Sequence, residues 1–226
     1  MRKLPFVLIL IGIAVIACPK ASEWYYEAKQ ERLLETWESD FKTTYTAPAA
    51  SSVQANYEQL TDIFMQPSEL NEETPEETES GTSVPTAGKE QEESGPAPIA
   101  TLVIDKIDLK LPILEGASEE NMKYAAAHME ETSPFGEIGN AAVAAHRVRK
   151  KGRLFNRLDE LSVGDEIIVN QQGEQYLYTV FKISRVEPTD VSVLNRNDKD
   201  KILTLITCDP IVNPTHRLIV HAKMED

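Results

Sequence analysis

The chain has 226 residues, 41% of them hydrophobic and 27% charged, with 37 acidic against 23 basic side chains and a net charge of −14 at pH 7. So acidic a balance leaves no electrostatic footprint for nucleic acid, and that class of function is excluded. Only two cysteines occur, one inside an apolar N-terminal run, so no disulfide framework can staple the folded part.

In chain order, Arg2 and Lys3 precede an uncharged run from Leu4 to Pro19, followed by Lys20 and Trp24-Tyr25-Tyr26. Sixteen residues at 1.5 Å rise span about 24 Å, short of a ~30 Å hydrocarbon core. Flanking lysines that snorkel and aromatics at the interface close the gap. Residues 1–21 are therefore expected to form a single-pass membrane anchor, with the N-terminus cytoplasmic and the rest outside the cell. Val15-Ile16-Ala17-Cys18 also has the form of a lipobox, which leaves a lipid on Cys18, or a cleaved signal, as alternatives. All three put the rest of the chain beside membrane lipid.

Residues 22–45 read as a juxtamembrane helix, because Tyr26, Leu33, Trp37 and Phe41 share one face. Such a helix could lie on the membrane, pack on the following domain or pair with a partner. Residues 46–98 read as an acidic disordered linker. From Gln66 to Pro98 there are nine Glu, one Lys and five Pro, a composition that does not repay its ordering entropy.

At residue 99 the pattern changes to short β-rich runs. The predicted strands are Ala100–Ile104, Leu109–Leu114, Ala126–Met129, Asn140–His146, Glu166–Asn170, Gln175–Val186, Ile202–Cys208 and Arg217–Lys223, with short helices at Ser118–Tyr124 and Leu154–Leu158. Gln171-Gln172-Gly173 predicts a hairpin turn. Eight short strands in residues 99–226 predict a mainly β fold, an eight-stranded barrel with short helices. Asn140–Ala145 and Ile202–Ile206 are nearly continuous apolar runs, so they are assigned as central strands buried on both faces.

Three chemistry-bearing residues stand at strand ends. His146 closes one apolar run, Cys208 closes another, and Arg217 opens the last strand. A thiol attacks well only as thiolate, and a nearby cation favours that form. Thiol, imidazole and guanidinium are thus the parts of a thiol acyl-transferase.

These residues resemble the sortase family. Thr204-Leu205-Ile206-Thr207-Cys208 matches the family's TLxTC motif, Ala145-His146-Arg147 its strand-end histidine, and Arg217 its arginine. Leu114-Glu115-Gly116, Phe155-Asn156-Arg157-Leu158 and Val163-Gly164-Asp165 look most like the class D subgroup. The resemblance covers Pro98 to Asp226 and implies a sortase-type barrel and a cysteine transpeptidase that anchors proteins to a Gram-positive cell wall. By that resemblance Cys208 is the nucleophile, His146 the general acid and base, and Arg217 the stabiliser of substrate or oxyanion. The implied partners are secreted proteins with a C-terminal LPxT-like sorting signal and an amine of a peptidoglycan precursor or a pilin.

The connection Glu187–Asp200 is expected to roof the substrate cleft. There Val191, Val193 and Leu194 either receive a Leu-Pro dipeptide or plug the barrel end, and the backbone at Thr207 is a further substrate contact. No His/Cys spacing suits zinc, so no metal or cofactor is expected. The competing readings are a stalked, non-enzymatic envelope binding module, with Cys208 buried as a small hydrophobe, and a thiol peptidase.

Overall fold

A computed structural model of the chain describes residues 24–37, 53–65, 96–196 and 198–225. Eight strands form a closed barrel: β1 Ala100–Ile104, β2 Leu109–Glu115, β3 Ala126–His128, β4 Gly139–Ala144, β5 Glu166–Gln171, β6 Glu174–Val186, β7 Lys201–Asp209 and β8 His216–Lys223. Their order around the barrel is β1-β2-β3-β4-β7-β8-β6-β5, with β5 closing onto β1. Every predicted strand is present.

β4 and β7 run parallel from Gly139↔Lys201 to Ala144↔Ile206, so their C-terminal ends reach the same rim. β8 returns antiparallel beside β7 and pairs Cys208 with Arg217. Side-chain alternation then divides the wall. Ala141, Val143, Leu203, Leu205, Leu218 and Val220 fill the interior. Ala142, Ala144, Ile206, Cys208 and Ile219 face outward, yet they too are buried. Both faces of these strands are covered, as their unbroken apolar runs require.

The outer cover includes a correction to the predicted linker. Within residues 46–98 lies a thirteen-residue helix, Val53–Met65. It is designated α2, after α1 at residues 24–37. Tyr57, Leu60, Ile63 and Phe64 recur at helical spacing and pack on the outward residues of β4, β7 and β8. Burial of that stripe offsets the ordering entropy of the helix.

α1 packs on the domain, the second of its three open placements. Tyr26 and Leu33 lie against Leu114, Tyr124 and Ala125, and Lys29 Nζ sits 4.0 Å from the Tyr124 ring centroid and 3.1 Å from Glu120. Residues 1–21 lie outside the described residues. Among the described residues no helix is long and apolar enough to cross a membrane.

Local chemistry explains the rest. Gln172 and Gly173 both take positive φ, 48° and 87°, as a two-residue hairpin with the twist of its strands requires. Ser118 caps the short helix α3, Glu119–Met122, by accepting from Asn121 N–H. The predicted helix Leu154–Leu158 does not form. Leu154 adopts φ +46°, and the Phe155 N–H donates to the His146 carbonyl at 3.0 Å instead of to its own turn. Only a 3-10 turn, Leu158–Glu160, follows.

Candidate active site

Cys208 and Arg217 face each other across the β7–β8 ladder, and both point outward under α2. Arg217 Nη1 lies 3.7 Å from Cys208 Sγ. His146 follows β4 by two residues, so the parallel register carries it alongside Cys208. Its strand is shorter than predicted, and past Ala145 the backbone ladder to β7 has ended. The imidazole makes no hydrogen bond to Cys208 or Arg217 among the described residues. Phe64 contacts both basic groups: its ring centroid is 5.4 Å from that of His146, and the Arg217 guanidinium carbon lies 4.8 Å from it.

All three groups are buried, Cys208 6% exposed, His146 7% and Arg217 1%. Burial sets their ionisation. Loss of solvent pushes the Cys208 thiol up to about 11; Arg217 and Arg147 act against this and Asp209 with it. Burial, helped by the charge of Lys123, pushes His146 down to about 4. At neutral pH the site therefore holds a neutral thiol and a neutral imidazole beside a fixed guanidinium. One Arg217 nitrogen, Nη2, is buried without a hydrogen-bond partner, as is the Tyr57 hydroxyl above it. The apolar face of α2 covers the site without giving Arg217 Nη2 an acceptor.

The supporting residues differ from expectation in instructive ways. Thr207 points away from the thiol and donates from Oγ1 to the Ala145 carbonyl at 2.7 Å, so its hydroxyl ties β7 to β4 and is not free for substrate. Val193 and Leu194 lie on a 3-10 turn, Val191–Leu194, and pack with α2, Ile206 and Cys208. They line the groove that α2 fills. Val191 and Leu194 also border a cavity of about 520 Å³ with Glu131, Asn140 and Arg196. The turn is held by Asn140, which donates to the Val193 carbonyl at 3.0 Å while accepting from Thr204 Oγ1 at 2.6 Å. His216 points out to solvent, as alternation predicts. Phe64 and Tyr57 were not anticipated. Their helical spacing with Leu60 was the available signal.

The sortase-domain family profile matches residues 102–225. The chain belongs to the sortase family. Among curated relatives, the Sortase A of Bacillus anthracis is 35% identical over 122 residues, 54% of this chain and 57% of that protein. The Sortase D of Bacillus subtilis is 27% identical over 125 residues, 54% of this chain and 61% of that one. The matched region thus spans little more than half the length of these sortases. Among solved structures, Sortase C1 of GBS Pilus Island 1 superposes with a TM-score of 0.55 at 32% identity, covering 57% of this chain and 64% of that one. A Clostridium perfringens Sortase D5 transpeptidase shares the fold over 87% of this chain and 98% of its own, with a TM-score of 0.58 at 24% identity. This chain places His146, Cys208 and Arg217 at one rim of its sortase barrel.

Proposed function

We propose that this sortase is a cell-surface cysteine transpeptidase acting on secreted proteins with an LPxT-like sorting signal. The observation that carries the reading is the guanidinium of Arg217 at 3.7 Å from the thiol of Cys208, with His146 at the neighbouring strand end. In the first half-reaction Cys208 sulfur bonds to the Thr carbonyl carbon, and the scissile C–N bond breaks. The Cys208 thiol proton passes to His146, which delivers it to the departing amine, leaving a thioester. In the second, an acceptor amine attacks the thioester, His146 takes its proton, and the sulfur leaves as the product amide forms. Arg217 holds the carbonyl oxygen through both steps, which gives its unpartnered Nη2 an acceptor.

This chemistry requires α2 to leave the groove. Once substrate and water replace Phe64, the burial that holds the thiol and imidazole neutral is relieved. Arg217 and Arg147 then favour thiolate.

The acceptor is an amine of a peptidoglycan precursor or a pilin subunit. The class D phrases at Leu114, Phe155 and Val163 support that subgroup. Residues 1–21 anchor the protein with its catalytic domain outside the cell, and the acidic stretch from Gln66 is its spacer. The test incubates the full chain with an LPxT-type peptide library and an amine acceptor, followed by mass spectrometry. A peptide–acceptor conjugate and a thioester on Cys208, both lost in Cys208→Ala, are expected. Cleavage by water alone would indicate a thiol peptidase, and no thioester with any signal would indicate a binding module.

A further inference from the structure

The residues directly after the two reacting groups also face each other. Arg147 follows His146, and Asp209 follows Cys208. By alternation their side chains lie on the opposite side of the strands from the thiol and from α2. Arg147 Nη1 donates to Asp209 Oδ1, Nη2 pairs with Asp159 at 2.7 Å, and Nε donates to the Asn156 carbonyl at 3.4 Å. Asp209 is held on its other oxygen by Arg185 at 2.6 Å. The result is an alternating chain, Asp159–Arg147–Asp209–Arg185, in which the Arg147 side chain is only 5% exposed and that of Asp209 13%.

We infer that Arg147 and Asp209 form a positioning clamp that sets the separation of His146 and Cys208. The need for one is visible in the backbone. The β4–β7 ladder ends at Ala145, where its N–H reaches the Ile206 carbonyl at 3.2 Å. His146, its carbonyl held instead by the Phe155 N–H at 3.0 Å, therefore has no main-chain bond to β7 of the kind that fixes Cys208 against Arg217. A planar guanidinium with three acceptors replaces it, and it does so with directional bonds that a lysine point charge cannot reproduce. Toward the sulfur the two charges act in opposite senses, Arg147 favouring the thiolate and Asp209 opposing it. Neither residue touches the reacting atoms, so both act through their neighbours. The inference rests on the reading of Cys208 and His146 as the reacting pair.

The test uses the full chain and the variants Arg147→Gln, Asp209→Asn, the double variant, Arg147→Lys and Arg185→Gln. A displacement near 1 Å costs roughly 100-fold in rate. Each of the first two is expected to lower kcat for acyl transfer by about that factor with KM little changed. The double variant should lose no more than either single one, the signature of a coupled pair. Arg147→Lys should recover about a tenth of the wild-type rate. Arg185→Gln, which removes an exposed partner, should stay within about 2-fold.

The pH dependence of Cys208 alkylation separates position from charge. The thiol pKa should fall in Asp209→Asn and rise in Arg147→Gln, while acyl transfer slows in both. Rates that follow the thiol pKa, or losses that multiply in the double variant, would overturn the clamp. Hydrogen exchange of residues 145–149 and 207–211 decides the matter even if no peptide is accepted. It should rise at least about 10-fold in both segments when either partner is removed, and unchanged protection overturns the inference. A wild-type protein that forms no thioester, with variants that still show this coupled loss of protection, would count against the reading of Cys208 and leave the clamp standing.

Discussion

The ring of Phe64 meets the imidazole of His146 edge-on, with centroids 5.4 Å apart and planes at 65°. The same ring lies against the Arg217 guanidinium, so one residue of α2 touches both groups that would serve Cys208. Site accessibility is therefore coupled to the docking of a helix that lies before the barrel in sequence.

Undocking α2 should expose the thiol. With its pKa near 11, roughly one Cys208 in a thousand is thiolate at pH 8. Deletion of residues 53–65, or Phe64→Ala combined with Tyr57→Ala, should raise the iodoacetamide rate at Cys208 at least about 10-fold, by restoring solvent and an ordinary thiol pKa. The rate is measured by peptide mass mapping. An unchanged rate would show that the helix does not govern access.

Stability should fall on acidification. Burial holds both His146 and His221 down to about 4, below their unfolded value near 6.5. Between those limits the unfolded chain binds more protons than the folded one, so stability drops as pH falls from about 6.5 to 4, by at most about 1.4 kcal/mol per pH unit per histidine. Cys208 acts with the opposite sign at high pH, destabilising the fold from about 9 to about 11. Urea unfolding across pH 4–10 should give a maximum near neutrality. His146→Gln should shallow the acid limb, and an identical limb in that variant would count against a buried neutral imidazole.

Arg217 should matter to kcat more than to folding. Removing a donor aimed at a developing oxyanion costs roughly 100- to 1,000-fold, so Arg217→Ala should lose that much acyl transfer. Arg217→Lys, which keeps charge but not the planar fork, should fall between. Single-turnover thioester formation measures this. Wild-type rates in both variants would remove Arg217 from the proposed chemistry.

Gly139 opens β4 at φ +138°, where a side chain would meet Ser133 Oγ at 2.0 Å. Gly139→Ala should cost at least about 2 kcal/mol by thermal unfolding. It should also disturb the Asn140 bonds that hold the Val191–Leu194 turn, because Ser133 caps the Asn140 N–H. A neutral substitution would mean that the start of β4 adapts freely.

Much of the fold was legible because strand periodicity and turn chemistry are local. The runs ending at His146 and Cys208 announce buried central strands, and Gln172-Gly173 announces its turn, without knowledge of any distant residue. The errors came where distant partners competed. Phe155 donates its N–H to His146 instead of forming a helix. Thr207 spends its hydroxyl on Ala145, a tie between β7 and β4 that no local pattern announces. The stripe Tyr57-Leu60-Phe64 sits in a tract whose composition suggests disorder, and only the outward residues of β4 and β7 give it a surface to bury against.

By itself, then, the chain of residues determined the barrel and the three candidate side chains at its strand ends, since those follow from apolar runs and from the residue types that close them. What covers the thiol, which way His146 and Cys208 are ionised, and what ties Arg147 to Asp209 were decided only in three dimensions. The physical reason is that burial and ion pairing depend on which surfaces meet across long sequence separations, and such meetings leave no period in the sequence.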